Sequence, residues 1–416
     1  MLSLIAIGGL LALGCISHRE KINPITIMTG TWGVTMLLYC SGIVEYGNIS
    51  LRTYLVIIVG LTAFSVGALL SKKIRFKYIA AEYIIDNRII IALQFLTILL
   101  LLPDAINSIL LLASGATFEA IRTNTVLGAS SVLSNPVVAL IKNYIVNPFT
   151  VLVYPLTAYV LVVEKRRKTK FRITVLAIMI CLCQVFSQGG RVSLVYLAMH
   201  IVIVPRLFGY RMGLSAKTKR RILLGTVVMS VVFYVISISR GISNMQRSLV
   251  LYVSGCVPLM DYYLNNLCNT QMFTYGGAFL EGILRLVFTL AENIGIPYPN
   301  FVRYVEGLTN FEQTVTIGND LRMNAFVSCF YYFYLDGGMI MVFLESMIYG
   351  FITEMFYKKA KKGKNPKYIV IYALFIQTLV FSLVRFQFIL PSYVIAIIMA
   401  SILFKKKEAG LRRYLR

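Results

Sequence analysis

S-R-G-I-S-N-M-Q-R, Ser239 to Arg247, follows the apolar run Ile222 to Ile238 and opens the one long segment of the chain too polar to cross a bilayer. That segment, residues 239–337, continues as Y-V-S-G-C-V-P-L-M-D-Y-Y-L-N-N (Tyr252 to Asn266). An amphipathic run around Glu281 and Arg285 follows, and R-M-N-A-F-V-S-C-F-Y-Y-F-Y-L-D-G-G (Arg322 to Gly338) leads into the next apolar run. With 58% hydrophobic and 14% charged residues, 416 residues hold too little polar surface to cover a soluble globule. The composition predicts an all-α polytopic integral membrane protein.

The apolar runs are Leu2 to Ser17, Ile25 to Val44, Tyr54 to Leu70, Ile89 to Leu112, Pro148 to Val163, Ile173 to Ser187, Val192 to Val204, Ile222 to Ile238, Gly338 to Phe356, Tyr368 to Phe388 and Pro391 to Phe404. They predict about 11 spans, and basic residues set the orientation, because loops rich in Lys and Arg stay in the cytoplasm. With alternate connections inside, only Arg52, Arg122, Lys142, Arg191, Arg240, Arg247, Arg285, Arg303, Arg322 and Arg385 fall outside. The other 31 of the 41 basic residues lie within. The N-terminus is therefore expected outside and the C-terminus in the cytoplasm. The run Leu2 to Ser17 lacks a basic leader and reads as the first span. The net charge of +24 reads as topology plus attraction to anionic membrane lipids, with no nucleic-acid partner.

No Gly/Ser linker, repeat or low-complexity tract divides residues 1–416, so a single membrane domain is expected. A shorter outer loop, Ala113 to Asn147, contains Thr117-Phe118-Glu119, which reads as the start of a surface helix carrying Arg122. Pro103 is expected to bend or break the fourth span beside Asp104. In the large loop, Phe279, Ile283, Leu286, Val287 and Leu290 have helical spacing. The helix they form is expected along the membrane surface, with Glu281 and Arg285 as an i,i+4 pair. Glu345 and Glu354 fall inside the ninth span, where a carboxyl faces the bundle interior and Glu345 is a functional candidate. His200 reads as a packing residue. A disulfide between Cys256 and Cys268 is one pairing among seven cysteines that form no framework.

Nine of the ten outer cations are arginines. A guanidinium is a permanent, planar, five-donor fork suited to phosphate oxygens, although arginine also serves as an interfacial partner for acids such as Glu281 or Glu292. In the turn Ser187-Gln188-Gly189-Gly190-Arg191, two glycines let amides converge where the next helix begins. That suits an anion site or, equally, a tight hairpin with a snorkelling arginine. No nucleotide-binding or zinc-protease motif occurs, and no D-x-D or D-x-E stands outside. No metal and no cofactor is expected. With no outer histidine, a base there is Asp, Glu or Tyr.

S-Q-G-G-R at the seventh span, S-R-G-I-S-N after the eighth, Y-V-S-G-C-V-P-L-M-D-Y-Y-L beyond it and N-A-F-V-S-C-F-Y-Y-F-Y-L-D-G-G-M-I-M-V before the ninth resemble the Wzy-type oligosaccharide repeat-unit polymerases of O-antigen and capsule synthesis. The chain departs from that pattern at Gly337-Gly338-Met339, where an aromatic is expected after the aspartate. The resemblance covers roughly residues 187–350. It implies a GT-C-like membrane glycosyltransferase of the bacterial plasma membrane that uses undecaprenyl-pyrophosphate-linked oligosaccharide, with a flippase and a chain-length regulator as candidate partners. It implies Arg191, Arg240, Arg322 and Asp336 as catalytic residues, with Asp261 as a further candidate for sugar binding. Arg247, Tyr262, Arg285, Glu281 and Arg122 complete the expected substrate contacts. A lipid-linked oligosaccharide transporter and an O-antigen ligase-type transferase are the alternatives.

Overall fold

The computed structural model describes residues 2–18, 20–74, 83–117, 121, 136–188, 192–207, 209, 245–270, 272–310, 314–317, 321–324, 326–363 and 365–406. It is helical, and among the described residues six helices are long and apolar enough to cross a membrane: Leu51–Lys73, Asn87–Ala113, Val137–Val163, Arg167–Ser187, Cys329–Lys361 and Pro366–Leu383. Shorter apolar helices occupy Ser3–Ser17, Val192–Leu207 and Pro391–Leu403. The expected run Ile222 to Ile238 lies outside the described residues, as do Phe118 and Glu119 of the expected surface helix.

The chain packs as two compact units, each drawn from three separate stretches. No linker marks the division, because the chain passes from one unit to the other within helices as well as between them. The first unit comprises Met1–Tyr78, Gln246–Lys362 and Phe375–Val394. It begins with α1 (Leu2–Ser17), α2 (Pro24–Cys40) and α3 (Leu51–Lys73). Asn23 starts α2 with a capping box: its side chain accepts from the Thr26 amide at 3.1 Å and its amide donates to the Thr26 hydroxyl at 3.0 Å. The Asn23 side chain also donates to the Gly14 carbonyl at 3.0 Å, which ties the start of α2 to α1.

The second unit comprises Ile79–Met245, Gly363–Leu374 and Ile395–Arg416. In it, α4 (Asn87–Ala113) lies along α7 (Arg167–Gln188), and α6 (Asn147–Val163) packs on α8 (Val192–Leu207). A two-residue β1 (Tyr83–Ile84) and the short α5 (Pro136–Ile141) complete the order up to α8. At Pro103, where a bend or a break is expected, α4 is not broken. The proline removes one backbone donor, but packing along α7 and the buried Gln94, which donates to the Ile173 carbonyl at 3.0 Å, hold the helix in register. A π-helical turn at Lys142–Val146 brings Lys142 to Asp104 at 2.7 Å. His200 is buried with its ring nitrogens 2.8 Å from the Tyr196 carbonyl and 3.2 Å from that of Ala373, a packing arrangement.

Back in the first unit, the segment expected as the large loop contains α9 (Met245–Ser254), α10 (Cys256–Thr270), α11 (Gly277–Glu292), α12 (Asn300–Thr309) and a hairpin of β2 (Val315–Ile317) and β3 (Leu321–Met323). Next comes α13 (Cys329–Gly363), which starts nine residues before the apolar run read from sequence and is broken at Gly337-Gly338. Gly338 has φ +66° and ψ −149°, a conformation closed to side-chain-bearing residues. The expected tenth span, Tyr368 to Phe388, is also interrupted. After α14 (Pro366–Val380) come 3-10 turns at Phe381–Leu383 and Gln387–Ile389, then α15 (Pro391–Leu403) and β4 (Lys405–Lys406). Phe386 is extended there because it stacks on Phe279 at 5.0 Å, while the Val384 carbonyl accepts from the Val327 amide at 3.1 Å. Cys256 is a free, buried thiol.

Two intramembrane acids occupy the interior, as their cost demands. Glu354 is buried and reaches His18 at 3.2 Å. Nearby, the Lys358 ammonium donates to the carbonyls of Ser71, Lys72 and Ile74 at 2.9, 3.0 and 2.7 Å, so it caps the end of α3.

Candidate functional site

The aspartates flagged by the sequence turn out to hold helix ends. Asp336, buried at the break of α13, accepts from the Ala278 amide at 2.9 Å, the Phe279 amide at 2.7 Å and the Thr274 hydroxyl. It thus satisfies the first amides of α11, whose N-cap, Gly276, has no side chain to do so. Glu345 lies in the electrostatic surroundings of Asp336, and its Oε2 has no partner among the described residues.

Asp261 plays a similar part for α3. One oxygen accepts from the Ser50 amide at 2.9 Å, the Ser50 hydroxyl at 2.5 Å and the Thr53 hydroxyl at 2.7 Å; the other accepts from Asn265 at 3.2 Å. Around it lie the rings of Tyr39, Tyr46 and Tyr54. Tyr39 stacks on Tyr46 at 5.3 Å, Asp261 acts electrostatically on Tyr39 and Tyr54, and Arg247 acts on Tyr46. Tyr262, the most exposed of the group, meets Tyr263 edge-on at 5.3 Å. The short connection Ser41 to Ser50 brings Tyr46 here, a placement that spans read one by one do not reveal.

Glu281 is different, and its helix explains why. The face of α11 turned inward is Gly277, Ala278, Glu281 and Gly282, while Leu280, Ile283, Val287 and Leu290 are exposed. Small residues let the backbones close: a Cβ on Gly282 would sit 2.1 Å from the Phe388 carbonyl oxygen. The glutamate between them is carried into the interior against the Gln387–Ile389 turn and α12. Its Oε1 meets Arg285 at 3.4 Å. Thr309 lies alongside, but its hydroxyl donates to the carbonyls of Val305 at 3.0 Å and Glu306 at 3.3 Å, and Glu281 Oε2 keeps no partner. Arg285 also reaches Glu306 at 3.2 Å, and Glu306 takes the Tyr298 hydroxyl. Arg303 sits over the Tyr298 ring at 5.6 Å and 4.0 Å from Glu292.

Burial pushes the Glu281 carboxyl up to about 7; Thr309 and Arg285 pull it down, and Glu306 pushes it up. The folded protein therefore holds a proton there in a window where the unfolded chain, titrating at 4.5, has lost it. Stability contributed at this position is fully present below about pH 4.5, declines as pH rises toward 7 and is constant above.

Of the ten site residues read from sequence, the structure brings Glu281 and Arg285 into direct contact and sets Arg247 and Tyr262 in the surroundings of Asp261. Asp336 joins neither, since it is enclosed by the start of α11. Arg322 projects from β3, exposed, opposite Thr316, with no ion pair among the described residues. Arg122, Arg191 and Arg240 lie outside the described residues. Two of the arginines expected outside, Arg285 and Arg303, do pair with acids. Arg385, in the break after α14, acts electrostatically on the buried Tyr332, as Glu281 does. No protein-family model, curated protein or solved structure matches the chain.

Proposed function

We propose that the chain is a metal-independent glycosyltransferase with about eleven spans that polymerises lipid-linked oligosaccharide repeat units. It transfers the growing glycan from undecaprenyl pyrophosphate to the non-reducing end of an incoming lipid-linked unit on the outer face of the bacterial plasma membrane. The observation that carries this reading is a segregation of charge. Every described arginine that the charge pattern assigns outside (Arg52, Arg247, Arg285, Arg303, Arg322 and Arg385) belongs to the first compact unit, which also contains Asp261, Glu281 and Asp336. Fixed cations beside buried carboxyls suit a reaction that releases pyrophosphate while joining neutral sugars. The motif resemblance supplies the substrate class.

The test is elongation by purified protein in liposomes containing a defined lipid-linked repeat unit. A ladder of lengthened lipid-linked glycans is expected, unchanged by excess EDTA. Loss of the ladder with EDTA and its return only with a divalent ion would show that arginine is not the main counter-charge. A transporter is the second reading, favoured by the break of α13 at Gly337-Gly338 beside the buried Glu345. Substrate flux with no lengthened product would select it, whereas glycan moved to a second acceptor would select a ligase.

Arg322 provides a sharper check. Because it is exposed and makes no ion pair among the described residues, Arg322→Lys leaves stability unchanged. Loss of the bidentate fork should slow elongation by about 10- to 100-fold, equivalent to about 1–3 kcal/mol. A Lys variant with wild-type polymer lengths would remove Arg322 from the site.

A further inference from the structure

We infer that Glu281 is the base that takes the proton from the acceptor sugar hydroxyl, an assignment that rests on the polymerase reading. The structure reaches it by elimination among the described carboxyls of the large loop. Both Asp336 oxygens receive donors from the start of α11. Asp261 is spent on Ser50, Thr53 and Asn265. Glu306 holds Arg285 and Tyr298, and Glu292 faces Arg303 from an exposed position. Glu281 alone among these described carboxyls is buried with an oxygen, Oε2, that has no donor. A buried acceptor without a donor is costly, and a ligand hydroxyl is what would satisfy it.

Access runs past Arg285. Its side chain is 39% exposed, and its 3.4 Å contact with Glu281 lies at the long end for a hydrogen bond. Drawn toward a pyrophosphate, the guanidinium uncovers the carboxyl and neutralises the leaving group in one movement. The other ionisable groups facing this carboxyl are Glu306 of α12, Tyr332 of α13 and, across Tyr332, Arg385 of the turn after α14. In the step itself, the acceptor O–H bond breaks and its proton goes to Glu281 Oε2, while the acceptor oxygen bonds to the donor's anomeric carbon. The bond from that carbon to the pyrophosphate oxygen breaks, and undecaprenyl pyrophosphate leaves with the electron pair. The proton then passes from Glu281 to water or to the released pyrophosphate. A carboxyl that ionises near neutrality is matched to this task, because it is basic enough to accept the proton and ionised often enough to be ready.

The test uses the full-length protein in liposomes with a defined lipid-linked repeat unit and measures single-elongation rates against pH. For wild type, the rate should rise with pH through about 7 as Glu281 ionises. Glu281→Gln should lose roughly 10²- to 10⁴-fold and lose that limb. It should melt no lower than wild type above pH 7, since it removes a buried charge. Glu281→Asp, which keeps a displaced carboxylate, should recover part of the rate with a shifted limb. An active wild type with a flat profile, or a Glu281→Gln protein with the wild-type rate and limb, would overturn the assignment while leaving the polymerase reading intact. A well-folded wild type that forms no product would overturn both.

Discussion

Replacing Asp336 by Ala is expected to destabilise the folded protein by about 3–5 kcal/mol, enough to abolish its accumulation or lower its melting midpoint sharply. The substitution strands the Ala278 and Phe279 amides at the start of α11 and leaves the Thr274 hydroxyl only the Leu335 carbonyl at 3.3 Å. Each stranded donor costs about 1–3 kcal/mol, with partial relaxation. Because Gly276 cannot cap α11 itself, no neighbouring side chain replaces the lost acceptor locally. Asp336→Asn should be milder, for the amide keeps one oxygen for two of the donors. Thermal unfolding of the detergent-solubilised protein is the measurement. If Asp336→Ala melts with wild type but fails to elongate glycan, Asp336 works at the reacting atoms and not at the helix end.

Asp336 also shows how far the sequence could be read. Its position after an aromatic run and before two glycines was visible, and so was the helical period from Phe279 to Leu290. Which face of that helix turns inward was not. A rule learned from water-soluble helices buries the apolar stripe. Here the stripe faces outward, and the small residues Gly277, Ala278 and Gly282 set the inner face, carrying Glu281 with them. Pairings across long stretches were equally hidden: His18 meets Glu354, and Trp32 donates to Ser382 at 3.1 Å. Hydropathy identifies apolar runs because each is local. It cannot report the break after Val380, where Phe386 leaves the helix to stack on Phe279, since a break made by a long-range ring contact leaves no local mark.

The same limit applies to glycine, whose importance depends on what stands opposite. Gly67 of α3 and Gly350 of α13 mark a crossing where the two helix backbones touch. A Cβ on Gly67 would lie 1.9 Å from the Met347 carbonyl oxygen, and one on Gly350 would lie 2.0 Å from that of Phe64. Backbone atoms cannot swing aside as a side chain can, so Gly67→Ala must push the helices apart and loosen the rings packed beside the crossing, including Phe64 against Tyr349 at 5.5 Å. Overpacking usually costs about 1–3 kcal/mol, and a backbone clash belongs at or above the top of that range. Gly8→Ala, with nothing within 4 Å of the added carbon, is the control, and helix propensity makes it neutral or stabilising by up to about 1 kcal/mol. Adding Gly350→Ala to Gly67→Ala should cost less than Gly350→Ala alone, because the first substitution has already opened the crossing. Melting curves for the three single variants and the double variant decide the matter. If Gly67→Ala unfolds at the same temperature as Gly8→Ala, the two helices do not touch at these glycines.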